Sequence, residues 1–322
     1  MVKRIVFISL FILVGLPFVF GVDSIWAKYP EKKIRFVAAF APGGGSDLVA
    51  RTLAKYTNPY LDNRLYVENV TGAGGAIGFR EGAKAPPDGY TLTMMVTGLT
   101  ASPHVVKDFP SYDLFDPICI VAQDPMTLTV NMESRFKTVQ DLISYAKANP
   151  EKASVSTAGV GSINHLAIGS FADAIGAQFN LVPYKGSNPA LVAAIGGHVD
   201  VAVSGCSEAI TLVEGKKLRP LVVLGMKRSR LYPDVPTARE LGFDAVIYQW
   251  RGVGVPKGIP KEVEGVLVEA FRKAMEDEEC KKFMDQVGLE RIYLGPKEAG
   301  AWLKAQNDFF KSVAIKIGLQ PK

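Results

Sequence analysis

Cysteine and histidine are scarce in this 322-residue chain, and neither is spaced for metal binding. The three cysteines, Cys119, Cys206 and Cys280, are far apart and odd in number, so they offer no metal spacing and at most one disulfide. They read as small buried hydrophobes. His165 falls in the first turn of a helix and has no second histidine, cysteine or carboxylate at matching spacing. A capping or cleft-lining role suits it better than ligation. His104 and His198 read as surface or turn residues. A strong charge of one sign is also missing. The formal charge is +5 and evenly spread, which argues against nucleic acid as a partner.

Motifs of catalysis and cofactor binding are lacking too. The loop at Gly43 starts a Gly-x-Gly but has Leu48 where the third glycine of a dinucleotide fingerprint belongs, and the loop at Gly72 has Ile77 there. No Gly-x-Ser-x-Gly elbow, Gly-Lys-Ser/Thr phosphate loop or His-Glu-x-x-His occurs. No catalytic residue, cofactor or metal is therefore expected.

Long apolar runs are absent except at the start. Lys3 and Arg4 precede about 16 apolar positions from Ile5 to Phe20, interrupted by Gly15 and Pro17, and Ile25-Trp26-Ala27 closes on a small residue. This is the pattern of a cleaved secretory leader over residues 1–27, and the run is short for a membrane span. No cysteine follows it closely, so a lipoprotein anchor is not expected. Removing the leader leaves a charge of about +4. The destination expected is the periplasm.

What is present is a repeated unit. A buried strand, Ile34–Phe40, runs into Pro42-Gly43-Gly44-Gly45-Ser46-Asp47 and a helix from Leu48 to about Tyr60. Leu65–Val70 leads to Thr71-Gly72-Ala73-Gly74-Gly75 and a short helix, and Tyr90–Val96 ends at Thr97-Gly98. The second half repeats the series. Ala153–Thr157 precedes Gly159-Val160-Gly161-Ser162 and a helix from Asn164 to Ile175. Phe179–Pro183 precedes Tyr184-Lys185-Gly186-Ser187 and a helix from Pro189 to Ile195. Val199–Val203 ends at Ser204-Gly205.

Strands alternating with helices predict an α/β fold of two lobes, each a mostly parallel sheet flanked by helices. Ile118–Val130, broken by Asp124-Pro125, and Val246–Val255, holding Trp250, read as crossover strands between the lobes. Residues 28–124 and 251–322 then form lobe one and residues 125–250 lobe two. Two amphipathic helices close the chain, with Val263, Leu267 and Phe271 on one stripe and Trp302, Leu303 and Phe310 on the other.

The glycine loops lie at the carboxyl ends of strands, just before helices. There the first-turn amides have no helical partner and the helix dipole is positive, which favours an anion. Open α/β sheets hold ligands at this edge. Any single loop also fits a tight turn with a helix cap. Asp47 in particular suits a cap or a pair with Arg51 better than a ligand contact. Hydrogen bonds to a charged group contribute about 1.5–3 kcal/mol each, so roughly five exceed the ~8 kcal/mol of a micromolar complex. A carboxylate clamp could thus work without a buried arginine, with Lys185 as the cation near the mouth.

Taken together, several segments resemble the substrate-binding proteins of tripartite tricarboxylate transporters, the Bug-type receptors. They are Tyr29-Pro30, the run Phe40–Asp47 with Arg51, Val67-Glu68-Asn69 leading into Gly72–Gly78, Asp88–Leu92, Tyr184-Lys185-Gly186, Gly196–Asp200, and Pro233–Thr237 with Glu240. The resemblance implies a type II periplasmic-binding fold that clamps a mono-, di- or tricarboxylate and passes it to membrane transporter subunits, acting as a monomer. It implies ligand contacts at Gly44, Ser46, Gly72, Ala73, Gly74, Gly75, Thr97, Thr157, Gly159, Ser162, His165, Tyr184, Gly186 and Ser204. Val70-Thr71 and Ser204-Gly205-Cys206 depart from the family pattern beside the expected pocket. Two other functions fit the scaffold: a ligand-dependent periplasmic signalling adaptor, and an exported α/β hydrolase using hydroxyls such as Ser46 or Ser162.

Overall fold

The computed structural model describes residues 29–319, so the expected leader lies outside the described residues. Its first half runs β1 (Ile34–Ala38), α1 (Gly45–Thr57), β2 (Leu65–Asn69), α2 (Ala76–Lys84), β3 (Thr91–Val96) and the single turn α3 (Gly98–Ala101). The long β4 (Phe115–Asn131) leads to α4 (Val139–Ala148), β5 (Ser154–Thr157), α5 (Ile163–Ile175), β6 (Asn180–Pro183) and α6 (Ser187–Ile195). Then come β7 (Val201–Gly205), α7 (Cys206–Glu214), β8 (Leu218–Leu224), β9 (Tyr248–Pro256), α8 (Lys261–Glu276), α9 (Glu278–Gln286), β10 (Glu290–Leu294) and α10 (Pro296–Lys316).

Local chemistry sets several of these boundaries. Thr138 and Asp141 form a reciprocal capping box at the start of α4. Ser162 caps α5, which stops at Gly176 in the left-handed conformation. The buried stripe Val263, Leu267, Ala270, Phe271 and Ala274 lays α8 on the sheet.

The sheet order explains the two halves. β2-β1-β3 is parallel and so is β6-β5-β7. β9 runs antiparallel to β3, and β4 runs antiparallel to both β9 and β7. β4 pairs with β9 from Phe115 to Pro125, then with β7 and β8 from Met126 onward. The two expected crossovers are therefore β4 and β9, and Asp124-Pro125 marks the change of partner without breaking the strand.

Two main hydrophobic clusters fill the interior. One gathers Phe36, Met94, Val253 and Phe271, and the other Leu128, Val155, Phe171 and Val222. α10 reaches both, with Ala299 and Leu303 in the first and Phe310, Val313 and Ala314 in the second. Its last turns thus leave the half that residues 251–322 were expected to complete. A helix of 21 residues spans about 30 Å, long enough to strap one core to the other.

Candidate ligand site

The carboxyl ends of the two parallel strand sets face each other across the crossovers. β3 ends at Val96 beside Arg251, which pairs with Ala122 on β4. β7 ends at Gly205 beside Met126. Ala122 and Met126 lie about 13 Å apart along one extended strand. The loops after β1, β2 and β3 and those after β5, β6 and β7 therefore open toward one shared space. Contacts already cross it. Ser102 Oγ donates to Gly161 O at 3.3 Å, and a Cβ on Gly45 would stand 3.6 Å from Glu208 Oε1 on α7.

In the loop after β1, Gly44 is the N-cap of α1 and Ser46 is half-buried. The first intrahelical bond runs from Leu48 N to Gly44 O, so the amides of Gly45, Ser46 and Asp47 precede the helical ladder. Asp47 is spent inside the protein. Its Oδ2 accepts Gly43 N at 2.9 Å and Arg51 Nε at 3.0 Å, and its Oδ1 accepts Asn69 Nδ2 at 2.8 Å. Burial alone would raise its pKa, but Arg51, Gly43 and Asn69 outweigh it and hold the carboxyl below the usual range. The expected pairing with Arg51 is what the structure has.

The loop after β2 turns through Gly72, Ala73, Gly74 and Gly75, all at positive φ. Ala73 and Gly74 are exposed, whereas Gly75 is buried against Phe40 and Phe79. Thr97, just past the end of β3, is buried. Its hydroxyl accepts Trp250 N at 2.6 Å, so it binds β9 and is fully occupied.

In the second half, Thr157 is buried at the end of β5 and its carbonyl accepts Tyr184 N. Ser162 Oγ donates to Gly159 O at 2.7 Å and accepts His165 N at 3.3 Å. His165 Nδ1 accepts Gly161 N at 3.1 Å, which leaves Nε2 to carry the proton. Burial pulls this imidazole below its ordinary pKa. Histidine and serine thus brace the Gly159–Ser162 turn. Gly186, at φ +117, caps α6, and Tyr184 is half-buried beside it, while Lys185 is exposed.

Ser204 corrects the expected boundary. β7 runs two residues past Val203, so Ser204 is a buried strand residue opposite Thr127, and its hydroxyl donates to Gly205 O. The amino end of α7 beyond it is filled by the protein itself. Asp124, wholly buried, takes the Ser207 amide and hydroxyl and Gln249 Nε2. Burial pushes its carboxyl up to about 6, against the pull of Arg251, Ser207 and Gln249.

Sequence reasoning missed Arg251. This arginine is 2% exposed on β9, and a Cβ on Gly45 would meet its Nη2 at 2.8 Å. The signal was a lone cation in an apolar run, directly after Trp250. Among the described residues, no group of three or more metal-ligating side chains gathers, all three cysteines are free and buried, and no helix is long and apolar enough to cross a membrane. His104 does have a partner, Asn307 on α10 at 2.9 Å. A concavity of about 230 Å³ between α8 and β10 is lined by Arg272, Glu276, Arg291 and Tyr293 and takes nothing from the glycine loops.

Two sets of parallel strands, joined by long antiparallel crossovers and opening their loops toward each other, define a periplasmic-binding-protein fold. The structure of the periplasmic binding protein BugD matches with a TM-score of 0.84 at 32% identity, covering 91% of this chain and all of that one. The chain belongs to the tripartite tricarboxylate transporter family of receptors, whose family model matches residues 49–319. It is 33% identical to the UPF0065 protein in the gbd 5′ region of Cupriavidus necator, over 91% of this chain and 89% of that one. BugT of Bordetella pertussis is 29% identical over 91% and 92%. Rpa4515 of R. palustris, solved with adipate, matches with a TM-score of 0.86 at 28% identity, covering 92% of this chain and 100% of that one. MatC from Rhodopseudomonas palustris, solved with malate, matches at 0.80 with 25% identity, covering 88% and 99%.

Proposed function

We propose that this protein is an extracytoplasmic solute-binding protein that closes two lobes around a small organic carboxylate and delivers it to the membrane subunits of a tripartite tricarboxylate-type transporter. The observation that carries this reading is the facing of the two parallel strand ends across Ala122–Met126 of β4. Amides before the α1 ladder, the positive-φ turn at Gly72–Gly75 and the turns at Gly159–Ser162 and Tyr184–Gly186 supply donors from both sides. Two relatives were solved with small carboxylates, Rpa4515 with adipate and MatC with malate, which supports an acid as the ligand here.

The lobes divide at 124/125 and 250/251, with β4 and β9 as the hinge and the end of α10 returning to the second lobe, and the protein acts as a monomer in the periplasm after loss of residues 1–27. We read it as a receptor without catalysis of its own, as membership of a solute-binding receptor family supports. Gly44, Ser46, Gly72–Gly75, Gly159, Tyr184 and Gly186 are the contacts we assign. Thr97, Thr157, Ser162, His165 and Ser204 shape the walls from behind.

A thermal-shift screen against mono-, di- and tricarboxylates, sugars and amines tests this. At least one carboxylate raises the melting temperature, and sugars and amines do not. Stabilisation by sugars or amines with none by any carboxylate would refute it.

A further inference from the structure

The sequence reading made a buried arginine unnecessary, yet one stands at the centre of the facing loops. Arg251 lies on β9 between Trp250 and Gly252, in register with Val96 on one side and Ala122 on the other. The side chain is 2% exposed. Nε and Nη1 are buried and, among the described residues, have no hydrogen-bond partner. Nη2 points to Gly45, the first residue of the 13-residue helix α1.

The carboxylates around it do not close its valence. Asp124 is committed to Ser207 and Gln249, and one Glu208 oxygen to Gly205 N. A buried guanidinium with unmade hydrogen bonds is costly, and removing it from water is offset only by a well-placed anion. Its planar donors match both oxygens of a carboxylate, and the helix amides beside it point at the same spot.

We propose that Arg251 is a ligand-binding residue whose guanidinium holds one carboxylate of the solute against the amino end of α1. The inference rests on the carboxylate-binding reading above and adds to it a fixed positive charge at the cleft floor.

Calorimetric titration of wild type, Arg251→Met and Arg251→Lys with malate, adipate and acetate tests it. Arg251→Met loses about 10- to 100-fold in affinity for whichever acid binds wild type, and Arg251→Lys recovers part of the loss. Gly45→Ala, which pushes a methyl group onto Nη2, weakens binding in the same direction and reads the claim even where Arg251→Met does not fold. Unfolding of the ligand-free proteins in urea separates binding from scaffolding. In an Asp124→Asn background, Arg251→Met leaves stability equal or raised, since it removes an unpaired charge. Affinity within about threefold of wild type in Arg251→Met or Gly45→Ala overturns the role of Arg251 and leaves the carboxylate reading standing. Failure of wild type to bind any acid in the thermal screen removes both.

Discussion

The carboxylate of Asp124 sits on the first turn of α7, where it accepts both the amide and the hydroxyl of Ser207. This helix start therefore carries an anion built into the chain, and the neighbouring helix starts are left for an incoming one. The arrangement has a pH signature. Burial raises the Asp124 carboxyl from 3.8 to about 6, with Arg251 opposing and Glu208 reinforcing the shift. The folded protein then holds a proton that the unfolded chain has already lost, so this group's contribution to stability falls as pH rises from about 4 to 6. The window amounts to on the order of 3 kcal/mol. Asp124→Asn removes it, and urea unfolding at pH 4 and pH 7 shows the variant gaining on wild type at the higher pH. An unchanged difference between the two proteins at both pH values contradicts this.

Thr97 separates scaffold from site. Its hydroxyl accepts the Trp250 amide, and Thr100 accepts the Trp250 indole. Thr97→Val leaves a buried amide without its acceptor and lowers stability by about 1–3 kcal/mol, while carboxylate affinity stays within a few-fold of wild type. A large loss of affinity with unchanged stability would put Thr97 in the ligand shell after all.

Gly74 and Gly75 are adjacent yet fail differently. A side chain on Gly74 finds Phe109 only at 3.9 Å, whereas one on Gly75 meets Phe79 at 2.8 Å and Phe40 at 3.0 Å. Gly74→Val carries the backbone cost of a left-handed residue, ~1–2 kcal/mol, and blocks the approach of the ligand. Gly75→Val adds overpacking to that cost and lowers the melting point further. Calorimetry and thermal melts on both variants distinguish lost binding in a folded protein from lost folding.

His165 braces its loop as a neutral ring. Burial lowers its pKa and Nδ1 accepts the Gly161 amide, so acidification below the ordinary histidine range charges the unfolded chain first and withdraws stability. Nitrogen-15 NMR at pH 7 shows the Nε2–H tautomer. A protonated ring at that pH would mean the brace does not exist.

Much of this was legible because strand–glycine–helix units recur in both halves; hydrophobic period placed the elements but not their ends, since α1 starts at Gly45 rather than Leu48 and β1 stops at Ala38 rather than Phe40. Gly72, Gly74, Gly75 and Gly186 all adopt positive φ, which glycine takes at little cost. What was not legible depended on register. Whether Ser204 ends a strand or starts a loop turns on two residues of pairing with β4, which no local pattern carries. Arg251 and Asp124 are polar residues inside apolar strands, and only the fold shows that β4 and β9 bring them to the same hinge. The short α9 sets Cys280 and Met284 against the first core, whereas β10 has little alternation of its own and is held by pairing with β4.

Central to the account is that amides from both halves of the chain meet on one carboxylate. A crystal structure with an acid chosen by the thermal screen decides it. Carboxylate oxygens are expected within hydrogen-bonding distance of the amides at Gly45–Ser46 and of a donor from the Gly159–Ser162 or Tyr184–Gly186 turn, with Arg251 beneath. An acid bound by one half alone, or lodged at the outer concavity of Arg272 and Arg291, contradicts it.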